Sequence, residues 1–594
     1  MTTSISPRRL WIGLAGLQIT LTAWTLYTLI FLPGRIGRVG LLQCAICAGV
    51  VTVAVFHERF VSWGQRIPFA VMALAWAGLC FGLGAISDDL WLYAFILFMT
   101  ALTGTLTLHT LYPGSTSVKR KHLIALAGIF VAIYLVRAWG LSVYPEIELT
   151  DEPWLLSFAV GYDHNGFIFD AFMQNFLPES TVTSPRVFAL HARWMQLTDF
   201  TLWHGRLFYL LMSLPVIAFT AWAAHNKEGT NTALMTAITM VASMLLVQSG
   251  RLRHDVLYAL CLAGSLWLFT LAQKREPLWL HTAAGAAAGA GIYAHLNAAP
   301  FGVILLVSLY TPLLLSRDHQ GIWQKVIAFA AGGAIAAAVY GILIVLPNWT
   351  DFTTVTAPRA TTGGENLLFS LRGHIRNVFW QSRLEFLLIV GGMVHALYRR
   401  RPFDLSLVMF VVLAHITLGI ISTDPNTQYV RQIVPVYGLL VARLLTVGLS
   451  NTASVQAVFA RAMIPIVLLG TTLMTPLRHI ATGGDLLLPP TEAATWIQNN
   501  APEDASIVGS HLYYLWLHDY DYTSTYLPRV LLRNYDSAAP PDADIWAEIA
   551  PDYIIIDYES PGWMRPPGIL NYIEANNYSL WASFEGADIY ERPQ

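Results

Sequence analysis

Residues 122–154 read HLIALAGIFVAIYLVRAWGLSVYPEIELTDEPW: an apolar run broken only by Arg137 leads, through a short polar stretch, into the adjacent acids Asp151 and Glu152. A run of ~20 apolar residues is the length of one membrane crossing. The acids that follow it therefore stand at a membrane surface, just ahead of another apolar segment. The same kind of run recurs along the chain, near 10–32, 39–57, 67–86, 89–111, 203–224, 232–250, 254–273, 278–294, 296–316, 323–347, 384–398, 402–421, 431–449 and 460–477. The fold class expected is an α-helical polytopic membrane protein of about 13–15 spans, carrying a small C-terminal α/β domain outside the membrane.

Composition agrees. Of 594 residues, 55% are hydrophobic and 12% charged, with a mean hydropathy of +0.51, whereas soluble domains carry about 25% charged residues. A soluble enzyme, a disordered scaffold and a basic nucleic-acid binder are excluded, because no water-soluble core would hide that much apolar surface. Cys44, Cys47, Cys80 and Cys261 all lie inside apolar runs and read as small core residues. The Cys44-x-x-Cys47 spacing lacks the polar, accessible setting that redox or zinc chemistry needs.

Positive charge sets the orientation, since lysine and arginine of short loops stay on the cytoplasmic side. With the N-terminus inside, the inner segments hold every lysine (Lys119, Lys121, Lys227, Lys274 and Lys325), and the short outer loops hold only Arg35, Arg38, Arg251 and Arg253. An odd number of crossings then places the C-terminal tail outside, together with two long loops at 144–202 and 348–383. The chain is expected in the plasma (inner) membrane. Three regions result: extra N-terminal spans over 1–121, a membrane core over 122–484, and an outer domain over 485–594. The last holds 17 acidic residues against 4 arginines and no lysine. In it, "PPTEAATWIQNNAP" reads as a helix capped by Thr491, "ASIVGS" and "DYIIIDY" as buried strands, "GILNYIEANN" as a helix and "WASFEGADIYER" as a hairpin. No glycine-rich phosphate loop follows either strand, which argues against a nucleotide site.

Long outer loops in a compact bundle are usually functional. In the first, "TDEPWLLSFAVGY" and "PRVFALHARWMQL" read as short amphipathic helices lying in the interface, with Trp154 and Trp194 as anchors. Two readings of Asp151 and Glu152 are open: a general base whose basicity is raised by poor solvation, or an N-cap with Glu152 on the helix dipole. "SGRLRHDVLYAL" packs Arg251, Arg253, His254 and Asp255 into one outer turn. Its arginines suit phosphate recognition; Asp255 would orient them, bind a metal, or cap the next helix. The second loop gathers Arg359, Arg372, His374, Arg376 and Arg383, a net basic surface suited to an anionic lipid head group. Lesser candidates are Asp163 and His164, His191 and Arg193, His295 and Asn297, and Tyr429 with Arg431. Arg137 is expected to snorkel toward the surface.

In their order along the chain these residues resemble the GT-C type membrane glycosyltransferases that use polyprenyl-phosphate sugars, the group containing protein O-mannosyltransferases and aminoarabinose transferases. An acidic motif, "DEPW", opens a large outer loop. The loop returns through Gly205, Arg206 and Leu207, and "SGRLRHD" follows after one helical hairpin. Next come "AAGAAAGAGIYAH", ending at His295, and a span entry from Tyr429 to Pro435. The resemblance covers roughly 122–594. Pro153 departs from the small residue expected after the acids, His191 lacks following prolines, and about four spans precede the family-like core.

The resemblance implies a sugar donor linked to polyprenyl phosphate, a lipid, glycan or protein acceptor, contact with membrane lipids and no nucleic acid. It implies one inverting displacement, with Asp151 as general base, Glu152 in support and Asp255 orienting the acceptor or a metal. Arg251, Arg253, His254, His295, Arg372, Arg376, Tyr429 and Arg431 are the implied substrate-binding residues. No cofactor is required; Asp151 and Asp255 would be the ligands of a divalent metal if one is used. The rival class is a transporter or lipid translocator, against which stand the lack of repeated halves and the gathering of charge at one outer face.

Overall fold

The computed structural model describes residues 130–142 apart from 132 and 136, 151–165, 185–247, 251–296, 298–316, 321–350, 352–353, 367–381, 383–421, 427–448, 490–529, 531, 542–558 and 567–593. The expected spans before 122 and at 460–477, and candidates Arg359 and Asn297, lie outside these.

The chain is a multi-pass membrane protein. Two short helices, α1 (Asp151–Asn165) and α2 (Pro185–Leu197), precede the bundle formed by α3 (Leu202–Glu228), α4 (Thr230–Val241), α5 (Asp255–Arg275), α6 (Leu278–Ala290), α7 (Ala298–Leu314) and α8 (Ile322–Tyr340). The bundle continues with α9 (Leu367–Gln381), α10 (Arg383–Arg399), α11 (Pro402–Ile421), a 3-10 helix Thr427–Ile433, and α12 (Val434–Arg443). Among the described residues four helices are long and apolar enough to cross a membrane: Leu202–Glu228, Asp255–Arg275, Ile322–Val345 and Pro402–Ile421.

Sequence dictates where these helices start and stop. Thr201 caps α3, its hydroxyl accepting from the His204 N–H at 3.3 Å. Gly229, at φ +87°, ends α3 and turns the chain back into α4, a conformation that side chains with a Cβ resist. α5 carries Asp255 in its first turn and Lys274 and Arg275 in its last, matching the helix dipole at both ends. α6 and α8 touch backbone to backbone: a Cβ at Gly285 would collide with the Phe329 carbonyl, and one at Gly332 with the Thr282 carbonyl. Small residues at such contacts are how apolar helices associate where lipid offers no hydrophobic drive.

Alternating helix direction brings two polar groups to opposite ends of the bundle. At one end lie the starts of α3, α5 and α12, with Arg206, Asp255 and the Thr427–Ile433 helix. At the other, Arg443 Nη2 lies 2.7 Å from Glu228 Oε1 and 2.5 Å from Asp404 Oδ1, while Arg399 approaches the same acids at 3.7 and 3.9 Å. Lys227 and Arg443 also sit over the Phe403 ring at 5.1 and 5.3 Å. This network ties α3, α10, α11 and α12 together.

Residues 490–593 form the small α/β unit: α13 (Pro490–Asn500), β1 (Ser506–Gly509), β2 (Asp521–Ser524), α14 (Asp542–Ile549), β3 (Tyr553–Asp557), α15 (Pro567–Ala575), β4 (Ser579–Phe584) and β5 (Ala587–Glu591). The sheet order is β2-β1-β3-β5-β4, with β1 parallel to both β2 and β3, and β5 antiparallel to β3 and β4. α13 starts at Pro490, one residue before the Thr491 expected at its N-terminus.

Two local expectations are corrected. α1 is buried nearly all round rather than amphipathic: Leu155 and Phe158 join the core of the bundle, while Leu156, Ala159 and Val160 join the core of the α/β unit. α2 is amphipathic as expected: Leu190, Arg193 and Leu197 are exposed, and its buried face puts Phe188 in the core of the bundle and Ala192 and Met195 in that of the α/β unit. The helices of the first loop are thus a layer between body and domain. Arg137 does not snorkel; it is buried and donates to the Val241 carbonyl.

Candidate active site

The layer formed by α1 sets its first turn against the 251–254 turn that opens α5. Gly205 permits this approach, since a Cβ there would collide with the Leu252 side chain. Leu252 in turn donates its backbone N–H to Glu152 Oε1 at 2.8 Å. Glu152 is fully buried and takes a two-pronged grip from Arg206, Nε to Oε1 at 2.8 Å and Nη2 to Oε2 at 2.7 Å. The third arm of that guanidinium, Nη1, donates to the Leu141 carbonyl at 2.8 Å, closing the link to the preceding span. Burial by itself would raise the Glu152 pKa. Arg206 and the Leu252 N–H outweigh it and hold the carboxyl below its ordinary value, so it is ionised.

Beside this strut lies a second set. Arg253 donates from Nε to Asp255 Oδ2 at 2.7 Å and contacts Asp151 Oδ2 through Nη1. Gln432, on the Thr427–Ile433 helix, donates to Asp255 Oδ1 at 2.9 Å. Asp255 and Arg253 are almost fully buried, whereas the Asp151 side chain keeps 35% of its surface exposed. An aromatic wall adjoins: His254 and His295 rings lie 4.8 Å apart, Tyr429 meets His295 edge-on at 5.8 Å, and Phe188 meets His254 at 5.9 Å. Burial pushes His295 down to about 4, with Asp255 working in the opposite direction, so its imidazole is neutral near pH 7.

Sequence residues from four separate regions thus meet at one end of the bundle: Asp151 and Glu152, the Arg251–Asp255 turn, His295, and Tyr429 with Arg431 and Gln432. Arg251 is half-buried and close enough to Glu152 to act on its charge. Arg431 is buried. Arg372 and Arg376 stand one helical turn apart on the exposed face of α9, which packs against the Thr427–Ile433 helix; they do not enter the Asp151–Arg253–Asp255 cluster. Of the lesser candidates, Asp163 is exposed and accepts from Gln196 at 2.6 Å, Arg193 stacks on Tyr162, and His191 is buried, which pushes it down to about 3.

The donor set does not fit a metal held between Asp151 and Asp255. A guanidinium already spans the two carboxylates, and among the described residues no group of three His, Cys, Asp or Glu is placed to hold an ion. Gln432 is the contributor that sequence reading passes over, and Arg206 enters that reading only as part of the loop's return motif, without a role at the site. The signal for Arg206 is a charge within an apolar run; Gln432 has no comparable mark in "TQYVRQIVPVYG".

The family model described as dolichyl-phosphate-mannose-protein mannosyltransferase matches residues 182–348, the segment from α2 to the end of α8 that includes the 251–255 turn. Among solved structures the chain is similar to ArnT from Cupriavidus metallidurans bound to undecaprenyl phosphate. The TM-score is 0.59 at 14% identity, over 79% of this chain and 99% of that one. The apo state of the same protein gives 0.58 at 14%, over 80% and 100%. No curated protein matches the sequence significantly. The family match is confined to residues 182–348, and the likeness to the solved structures, at 14% identity, is one of fold.

Proposed function

We propose that this protein transfers a sugar from a polyprenyl-phosphate donor to an acceptor hydroxyl at the extracytoplasmic face, with Asp151 as general base. The observation that carries the assignment is the division of labour among three carboxylates. Glu152 and Asp255 are buried and held through both oxygens, while Asp151 keeps 35% of its side chain open. Asp151 takes the proton from the acceptor oxygen as that oxygen bonds to C1 of the sugar. The C1–O bond to the lipid phosphate breaks on the opposite face, which inverts C1, and the phosphate leaves as an anion. Arg251, with Arg431 and the more distant Arg372 and Arg376, supplies positive charge for that phosphate, and His254, His295 and Tyr429 form an apolar-faced wall against which the sugar or lipid head lies. The undecaprenyl phosphate bound by the ArnT of similar fold supports a donor of this chemical kind. A translocator is less well supported: the buried charge pairs described gather at the two ends of the bundle rather than along a path through it.

Asp151→Asn keeps the shape and removes the base. With purified protein, a polyprenyl-phosphate sugar and an acceptor, turnover is expected to fall ~10²- to 10⁴-fold while donor binding persists. Near-full turnover by the Asn variant would sink the assignment.

A further inference from the structure

We propose that Gln432 is a positioning residue that sets the reach of Arg253 onto Asp151, acting through Asp255; this rests on the reading of Asp151 as base. Three contacts form the line: Gln432 Nε2 to Asp255 Oδ1 at 2.9 Å, Asp255 Oδ2 to Arg253 Nε at 2.7 Å, and Arg253 Nη1 to Asp151 Oδ2. Every link before Asp151 is buried: Gln432 is 0% exposed, Asp255 1% and Arg253 4%. Water therefore does not substitute for a missing partner, and the geometry of one link decides that of the next.

A guanidinium and a carboxylate left to themselves pair side-on, two parallel N–H donors on two oxygens. Arg206 and Glu152, the neighbour of Asp151 on α1, do this. Arg253 and Asp255 do not, because Gln432 occupies the second oxygen of Asp255. Arg253 is thereby restricted to its Nε contact there, and its Nη1 is turned to the base. The other groups around this line are fixed independently. Glu152 is held by Arg206 and Leu252, His254 and His295 face Asp255 from the turn and from the end of α6, and Tyr209 of α3 lies close enough to feel its charge. The Thr427–Ile433 helix packs on α5, so Gln432 is carried on an element seated against the helix that Asp255 opens.

Gln432→Met keeps the length and volume of the side chain and removes the donor. Gln432→His restores an N–H at similar reach. The variants are to be compared in detergent with the full-length protein, by steady-state kinetics on the lipid-linked donor and by thermal melting. The expected result is a fall of about 10- to 100-fold in kcat for Met, the scale of a misplaced catalytic group, with donor KM within about twofold and melting close to wild type. His should recover most of the lost kcat. A packing role predicts the reverse ranking, Met above His. The proposal is overturned if Met keeps kcat within about twofold, or if His is no better than Met, while Asp151→Asn is inactive. Full turnover by Asp151→Asn removes the base, and with it the role of Gln432.

Discussion

Asp151 and Glu152 are neighbours in the first turn of α1, roughly 100° apart around the helix axis, and that rotation decides their chemistry. Glu152 points into the bundle and meets Arg206; Asp151 faces the turn at Arg253 and retains solvent contact. Sequence reading finds the acid pair, the 251–255 cluster, His295 and Tyr429 because titratable residues at the ends of apolar runs are conspicuous. It does not separate base from strut, since the partner of Glu152 is 54 residues away and its choice depends on which face of α1 is inward. A buried ion pair is costly to break from one side: removing one partner leaves a charge without compensation, about 3–5 kcal/mol. Glu152→Ala is therefore expected to lower the melting temperature clearly, and Glu152→Leu combined with Arg206→Met to recover part of the loss. Equal melting of wild type and Glu152→Ala in detergent would show that Arg206 finds its partners elsewhere.

Helix boundaries were the most legible elements, because an apolar run of fixed length and its charged ends are both written locally. The expected spans at 203–224, 254–273 and 402–421 correspond to α3, α5 and α11 within a few residues. α1 departs from the amphipathic expectation for a physical reason: a helix covered on one face by a bundle and on the other by a domain more than 300 residues downstream shows no polar face. β2, "DYTS", is short and polar and carries no strand signal, yet β1 pairs with it in parallel through all four residues. The contact between α6 and α8 was visible only as a glycine- and alanine-rich run. Its meaning is steric. A leucine at Gly285 cannot fit against the Phe329 backbone without separating the two helices, so Gly285→Leu should reduce the yield of folded protein and its melting temperature, whereas the same change at Gly341, which has nothing within 4 Å of an added Cβ, should be tolerated. Indistinguishable yields would mean that α6 and α8 do not depend on close packing there.

At the scale of the whole molecule, the candidate base sits on an element that belongs to two cores. α1 anchors Asp151 through Leu155 and Phe158 in the bundle and through Leu156, Ala159 and Val160 in the α/β unit, where the single-turn helices after β1 supply Tyr513, Tyr514 and Leu517. The domain consequently does more than hang from the last span: it covers the outer side of the helix that begins with the base. Ala159, 0% exposed, is the test position. Ala159→Glu places a carboxylate in an apolar seam, where an unpaired charge is expelled rather than accommodated, and the seam must open. The expected outcome has two parts that are measured separately. Residues 490–593 should become more susceptible to limited proteolysis near their junction with the bundle, while the bundle itself stays resistant. Turnover should fall with little change in donor affinity, because α1 loses its outer support but Arg251, Arg431, His254, His295 and Tyr429 are carried by the bundle. Ala159→Ser, nearly the same size and uncharged, serves as the control and should behave as wild type. If Ala159→Glu raised protease sensitivity but left turnover intact, the domain would be a cover without influence on the base, and the coupling of the two cores through α1 would be structural alone.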